Sequence, residues 1–76
     1  MITVKLYGLL RIESGIREKQ LEATTVKDVL EQLALCGIDR RKLDGCVILV
    51  NGKNAIKRSK LKDGDNVVLM SPVAGG

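Results

Sequence analysis

Chemistry in this sequence has few candidate carriers. Cys36 and Cys46 are its two cysteines, and the chain contains no histidine. A Cys/His zinc site, a histidine-centred triad and a histidine general base are therefore excluded. The cysteines lack the C-x-x-C spacing of a redox pair and read as small buried hydrophobes. Asp63 and Asp65 flank Gly64 and read as turn formers, since an aspartate readily bonds its own backbone. No third carboxylate follows at the spacing of a calcium loop, so no metal ligand is assigned. What remains is the end of the sequence, Ser71-Pro72-Val73-Ala74-Gly75-Gly76. Glycines lack a Cβ and present the narrowest possible backbone to a neighbouring protein, so such a tail can thread a tunnel. It ends in a carboxylate, a poor acyl donor until it is converted into a reactive acyl species. The plain alternative for Gly75 and Gly76 is an ordinary frayed terminus. Pro72 reads either as a strand terminator or as a stiffener that projects the tail.

The elements that must position this tail fit in one small domain, because 76 residues build a single core. The composition is 45% hydrophobic and 29% charged, enough for a folded body, but aromatics make up only 1%. With 13 Lys and Arg against 9 Asp and Glu, the net charge is +4, which favours acidic partners and makes nucleic acid a candidate. Tyr7, the only aromatic residue, argues against single-strand binding, which stacks bases on several rings. Neither a signal-peptide pattern nor a bilayer-length apolar run is present, so the expectation is a cytoplasmic protein with no membrane partner.

Ile2, Val4 and Leu6 alternate with Thr3, Lys5 and Tyr7, the period of a half-buried strand. Gly8 breaks the run, and residues 9–15 read as a loop or hairpin connection. A polar edge strand is expected over 17–23. Thr25 and Asp28 form a capping-box pattern, and Val26, Val29, Leu30, Leu33 and Ala34 recur at helical spacing. The helix is expected over 26–36, with Gly37 at its C-terminal stop. Residues 39–42 read as one helical turn, and 46–50 as an apolar strand ended by the Asn51-Gly52 turn. A brief strand around Ala55 and Ile56, a basic loop over 57–62, an Asp63-Gly64-Asp65 turn and a last strand over 67–70 complete the order. Lys53, Lys57, Arg58, Lys60 and Lys62 in this stretch read as a solvated loop or as a contact for an acidic partner, and Arg40, Arg41 and Lys42 in the same two ways.

This order in so short a chain, with Leu61-Lys62-Asp63-Gly64-Asp65, a final apolar strand and Pro72-Val73-Ala74-Gly75-Gly76, resembles the MoaD/ThiS sulfur-carrier family, and within it the small subunit of molybdopterin synthase. The resemblance covers the whole chain. Family members often carry phenylalanines and a second proline before the tail, where this chain has Leu69, Met70 and Ser71.

The resemblance implies an α+β, ubiquitin-like β-grasp fold. Its mixed sheet of four to five strands carries one main helix on one face, over 1–71, and a flexible Gly-Gly tail follows over 72–76. It also implies a sulfur carrier with no catalytic residues and no bound cofactor or metal of its own. An E1-like adenylyltransferase of the MoeB/ThiF kind adenylates Gly76 with ATP and magnesium. A persulfide protein supplies sulfur, and the resulting thiocarboxylate donates it in the large subunit of molybdopterin synthase. Pro72, Val73, Ala74 and Gly75 would thread that active site. Similarity to ubiquitin turns Met70, Val68 and Leu49 outward as a partner-binding patch bordered by Tyr7, although periodicity alone leaves the choice of face open. Alternatives within the fold are a carrier for thiazole or tungsten cofactors and a protein modifier conjugated through Gly76. Outside the carriers stand a basic nucleic-acid binder and a non-covalent ubiquitin-like module.

Overall fold

A computed structural model describes residues 1–71. The tail over 72–76, with Pro72, Val73, Ala74, Gly75 and Gly76, lies outside the described residues. Eight elements follow one another: β1 (Ile2–Tyr7), α1 (Leu9–Ser14), β2 (Glu18–Leu21), α2 (Val26–Leu35), α3 (Arg40–Asp44), β3 (Val47–Val50), β4 (Lys53–Asn54) and β5 (Asn66–Met70). The strands form one mixed five-stranded sheet in the order β2-β1-β5-β3-β4. The polar strand β2 lies at an edge, as its composition predicts. At the centre β1 runs parallel to β5, pairing Thr3 with Asn66 and Tyr7 with Met70.

One face of the sheet is covered. Ile2, Val4 and Leu6 of β1 and Val67 and Leu69 of β5 meet Val26, Val29, Leu30 and Leu33 of α2 in a single apolar core, closed by Leu10, Leu43 and Leu61. Helix α2 starts where the capping box predicts. Thr25 accepts from the Asp28 amide at 3.2 Å, and the Asp28 carboxylate accepts from the Thr25 amide at 3.2 Å and the Thr24 hydroxyl at 2.8 Å. The Thr24 contacts hold the Asp28 carboxyl below its ordinary pKa. The basic segment 57–62 supplies further caps. The carbonyls of Ser59 and Lys57 accept from the amides of Val26 and Lys27 at 3.0 and 2.8 Å, so donors that a helix start leaves orphaned are satisfied by a distant loop.

The structure corrects two expectations. Residues 9–15 are no loop or hairpin connection, because Leu9–Ser14 is helix α1, which buries Leu10 and ends at Gly15 in the left-handed region. The brief strand around Ala55 and Ile56 lies two residues earlier, at Lys53–Asn54. Asn51 and Gly52 both have positive φ, 52° and 83°, as a type I′ turn requires. A two-residue turn forces Val50 against Lys53 and Leu49 against Asn54. The turn at 39–42 is helix α3, capped by the Asp39 carboxylate on the Arg41 amide at 2.9 Å.

Candidate functional site

The site is built around the end of β5, the strand that leads into the tail. Val67 and Leu69 are buried among the helices, so Val68 and Met70 face the open side of the sheet. Register then decides which residues join them. Met70 sits between Tyr7 on β1 and Val47 on β3, and Val68 sits between Lys5 on β1 and Leu49 on β3. The expected patch of Met70, Val68, Leu49 and Tyr7 is thus one continuous surface. Tyr7 is 42% exposed and Val47 41%, while Met70, Val68 and Leu49 are half-buried. Val47 is the member that the sequence reading missed. Alternation back from Leu49 along β3 points to it.

Beside Tyr7 the surface turns polar and positive. A cleft of ≈ 450 Å³ is lined by Lys5, Leu6, Tyr7, Arg11, Arg17 and Glu18, bringing three cations and one carboxylate together on β1, α1 and β2 and the turn between them. Among the described residues none of these cations lies in an ion pair. Open-face strand positions and this cleft form an apolar row with a cationic flank, suited to a protein surface of complementary shape and negative charge.

The other charged candidates lie elsewhere. Lys57 bonds Asp44 at 2.8 Å and lowers that carboxyl's pKa, and Lys42 is paired with Glu13. Lys53, Arg58, Lys60, Lys62, Arg40 and Arg41 are exposed. Asp65 accepts from the Lys62 amide at 2.8 Å and from the Asn51 side chain at 3.0 Å, which lowers its pKa and ties the 51–52 turn to the 63–65 turn. Cys36 is exposed. Cys46 donates to the Leu43 carbonyl at 2.9 Å, and burial pushes its thiol pKa up, away from reactivity. Among the described residues no group of three or more His, Cys, Asp and Glu is placed to hold a metal ion. No helix there is long and apolar enough to cross a membrane.

The tail is entered through Ser71, whose hydroxyl accepts from the Leu9 amide at 2.7 Å. Helix α1 has no other side-chain cap, because its N-cap residue is Gly8. The described residues thus form a sheet with one covered face, an apolar open face and an end of β5 that is held at Ser71. The model of the ThiS family matches residues 4–76, nearly the whole chain and all of the tail. The chain belongs to the ThiS family. This ThiS-family protein has no match among curated proteins by sequence. Its fold is shared with SAMP1 of Haloferax volcanii, at 26% identity and TM-score 0.85 over 99% of this chain and 98% of that one. Small archaeal modifier protein 1 of Methanosarcina acetivorans is similar at 28% identity and TM-score 0.80, over 99% and 95%. In the complex of subunits 1 and 2 of molybdopterin-converting factor from Helicobacter pylori, the matching chain has 26% identity and TM-score 0.67, over 99% and 97%. The ThiS-family chain therefore has the ubiquitin-like sulfur-carrier fold, and the similar Helicobacter pylori chain is seen in a complex of two subunits.

Proposed function

We propose that this protein is the sulfur-carrying small subunit of a molybdopterin synthase, and that its cargo is held at the carboxylate of Gly76. The observation that carries the reading is the family match, which runs through the tail to Gly76. Similarity to the molybdopterin-converting factor chain supports the choice of acceptor. The carboxylate attacks the α-phosphate of ATP in an E1-like adenylyltransferase, with magnesium held by the enzyme and the nucleotide, and pyrophosphate leaves. A persulfide sulfur then attacks the acyl carbon and displaces AMP. Reduction of the resulting acyl disulfide by a thiol leaves a thiocarboxylate on Gly76 and a disulfide on the reductant. The thiocarboxylate sulfur attacks a carbon of a pterin precursor inside the large subunit and displaces an oxygen leaving group. Water then hydrolyses the acyl–sulfur bond, leaving the sulfur on the pterin and restoring the carboxylate of Gly76. Tyr7, Val47, Leu49, Val68 and Met70 dock the partners, and 72–75 carry Gly76 into their active sites. This chain contributes recognition and reach. It supplies no acid, base or metal to these steps.

Intact-protein mass spectrometry tests the reading. After incubation of the untagged chain with ATP, magnesium, a persulfide donor and the host's E1-like enzyme, the expected mass change is one oxygen replaced by one sulfur, located at Gly76. Extension by one residue past Gly76 abolishes the conversion and leaves the fold intact. An unmodified mass under conditions that convert an established carrier overturns the proposal. Similarity to two small archaeal modifier proteins favours a second reading, conjugation through Gly76 to lysines. That reading expects isopeptide-linked adducts of the chain in its host, and the synthase reading expects none.

A further inference from the structure

Two observations meet where the chain leaves β5. Gly8 follows β1 directly and has φ 67° and ψ −143°, a backbone conformation that side chains disfavour. Its missing side chain is also a matter of space. A Cβ at Gly8 would lie 2.7 Å from Ser71 Oγ and 3.5 Å from the Ser71 carbonyl oxygen, so Ser71 is packed against bare backbone. The hydroxyl seated there accepts from the Leu9 amide at 2.7 Å, while the Gly8 carbonyl accepts from the amides of Arg11 and Ile12 at 3.1 Å. The turn that starts α1 thus holds the last described residue of the chain. Leu9 is 44% exposed, so water can replace the hydroxyl as its acceptor, and the stability gained from this bond is small. Its geometric effect is larger, because Ser71 is the root from which 72–76 extend.

We propose that Gly8 and Ser71 form a clasp that fixes Ser71 at the end of β5, making Ser71 a positioning residue for delivery of Gly76 to its activating enzyme. The inference rests on the sulfur-carrier reading. A fixed Ser71 gives the chain that follows it a single starting point and so raises the effective concentration of Gly76 at the end of a partner's tunnel. Release of the pin therefore raises KM and leaves kcat nearly unchanged.

Steady-state kinetics of Gly76 adenylation, read as ATP-dependent pyrophosphate release by the host's E1-like enzyme, compares wild type with Ser71→Ala, Ser71→Thr and Gly8→Ala. Ser71→Ala is expected to lower kcat/KM about three- to tenfold through KM. Its thermal midpoint should stay within about 2 °C of wild type. Ser71→Thr keeps the hydroxyl and should recover kcat/KM to within about twofold. Gly8→Ala displaces Ser71 by contact and should raise KM in the same way. A Ser71→Ala variant with wild-type kcat/KM overturns the proposal. So, for Ser71→Ala, does a loss confined to kcat or one that follows a lowered midpoint, and so does a threonine variant as slow as the alanine. A wild-type chain that is never adenylated overturns the carrier reading itself, an outcome distinct from all of these.

Discussion

Strand β5 shows two regions of the molecule at once. Its covered side places Val67 and Leu69 at 0% exposure beneath the helices, and its open side leaves Val68 and Met70 half in water. All four residues are apolar, so composition does not tell the two sides apart. The difference is what lies over them. Helix α2, with its capping box and its four buried side chains, closes one face. The other face leaves the same kind of surface uncovered, and it is the face proposed above to dock a second protein. One strand thus gives alternate residues to the core and to the proposed recognition surface.

The largest test of this contrast is Leu69→Ala, which empties a fully buried site and should cost about 2–5 kcal/mol in urea denaturation. Val68→Ala, one residue away, should cost well under half of that. Equal losses would erase the distinction between the faces. Next in size, Met70→Glu should weaken binding to the activating enzyme about tenfold, or about 1.4 kcal/mol, while shifting stability by less than about 1 kcal/mol. Isothermal titration and denaturation of the same sample read both quantities.

Acid should loosen the covered side. The carboxyls of Asp28 and Asp65 have folded pKa values below the ordinary one, Asp28 through the Thr24 hydroxyl and amide, Asp65 through the Lys62 amide and the Asn51 side chain. Because the folded values are lowered, their stabilisation is complete above the ordinary carboxylate value of about 4 and is lost as pH falls through the folded values. A denaturation series from neutral pH downward should show stability falling in that acid range, with Asp28→Asn and Asp65→Asn each flattening the slope. The smallest effect concerns the thiols. Cys36, exposed at the end of α2, should alkylate faster than Cys46, whose thiol is bonded to Leu43 and raised in pKa by burial. Peptide mapping after brief iodoacetamide treatment orders the two.

Much of this arrangement is legible in the sequence, for local reasons. Thr25 and Asp28 mark the start of α2, Asn51-Gly52 marks the hairpin, and alternation marks β1 and β5, because each signal acts through neighbours in the chain. Helix α1 is illegible for the opposite reason. Gly8 offers no side chain as a cap, and the group that does the capping, the Ser71 hydroxyl, comes from 62 residues away. The position of β4 was within reach, since the two-residue turn dictates Val50 against Lys53. Ala55 and Ile56 drew the strand assignment by being apolar, yet turn geometry outranks composition in setting register. For the open face, alternation divides β5 into two sets, and only the cross-strand partners of Met70 show that Tyr7 and Val47 share its side.

The parallel pairing of β1 with β5 has a consequence for how the protein is made. Strand β1 finds its central partner only when Asn66–Met70 has emerged, with Thr3 meeting Asn66. Contacts so distant in sequence form late and at high entropic cost. The sheet therefore closes only after β5 has been made. A product broken off before β5 lacks both the tail and a finished sheet on which the recognition surface could form. Folding itself thus acts as a check that β5 has been made, since a chain broken off before it leaves β1 without its central partner.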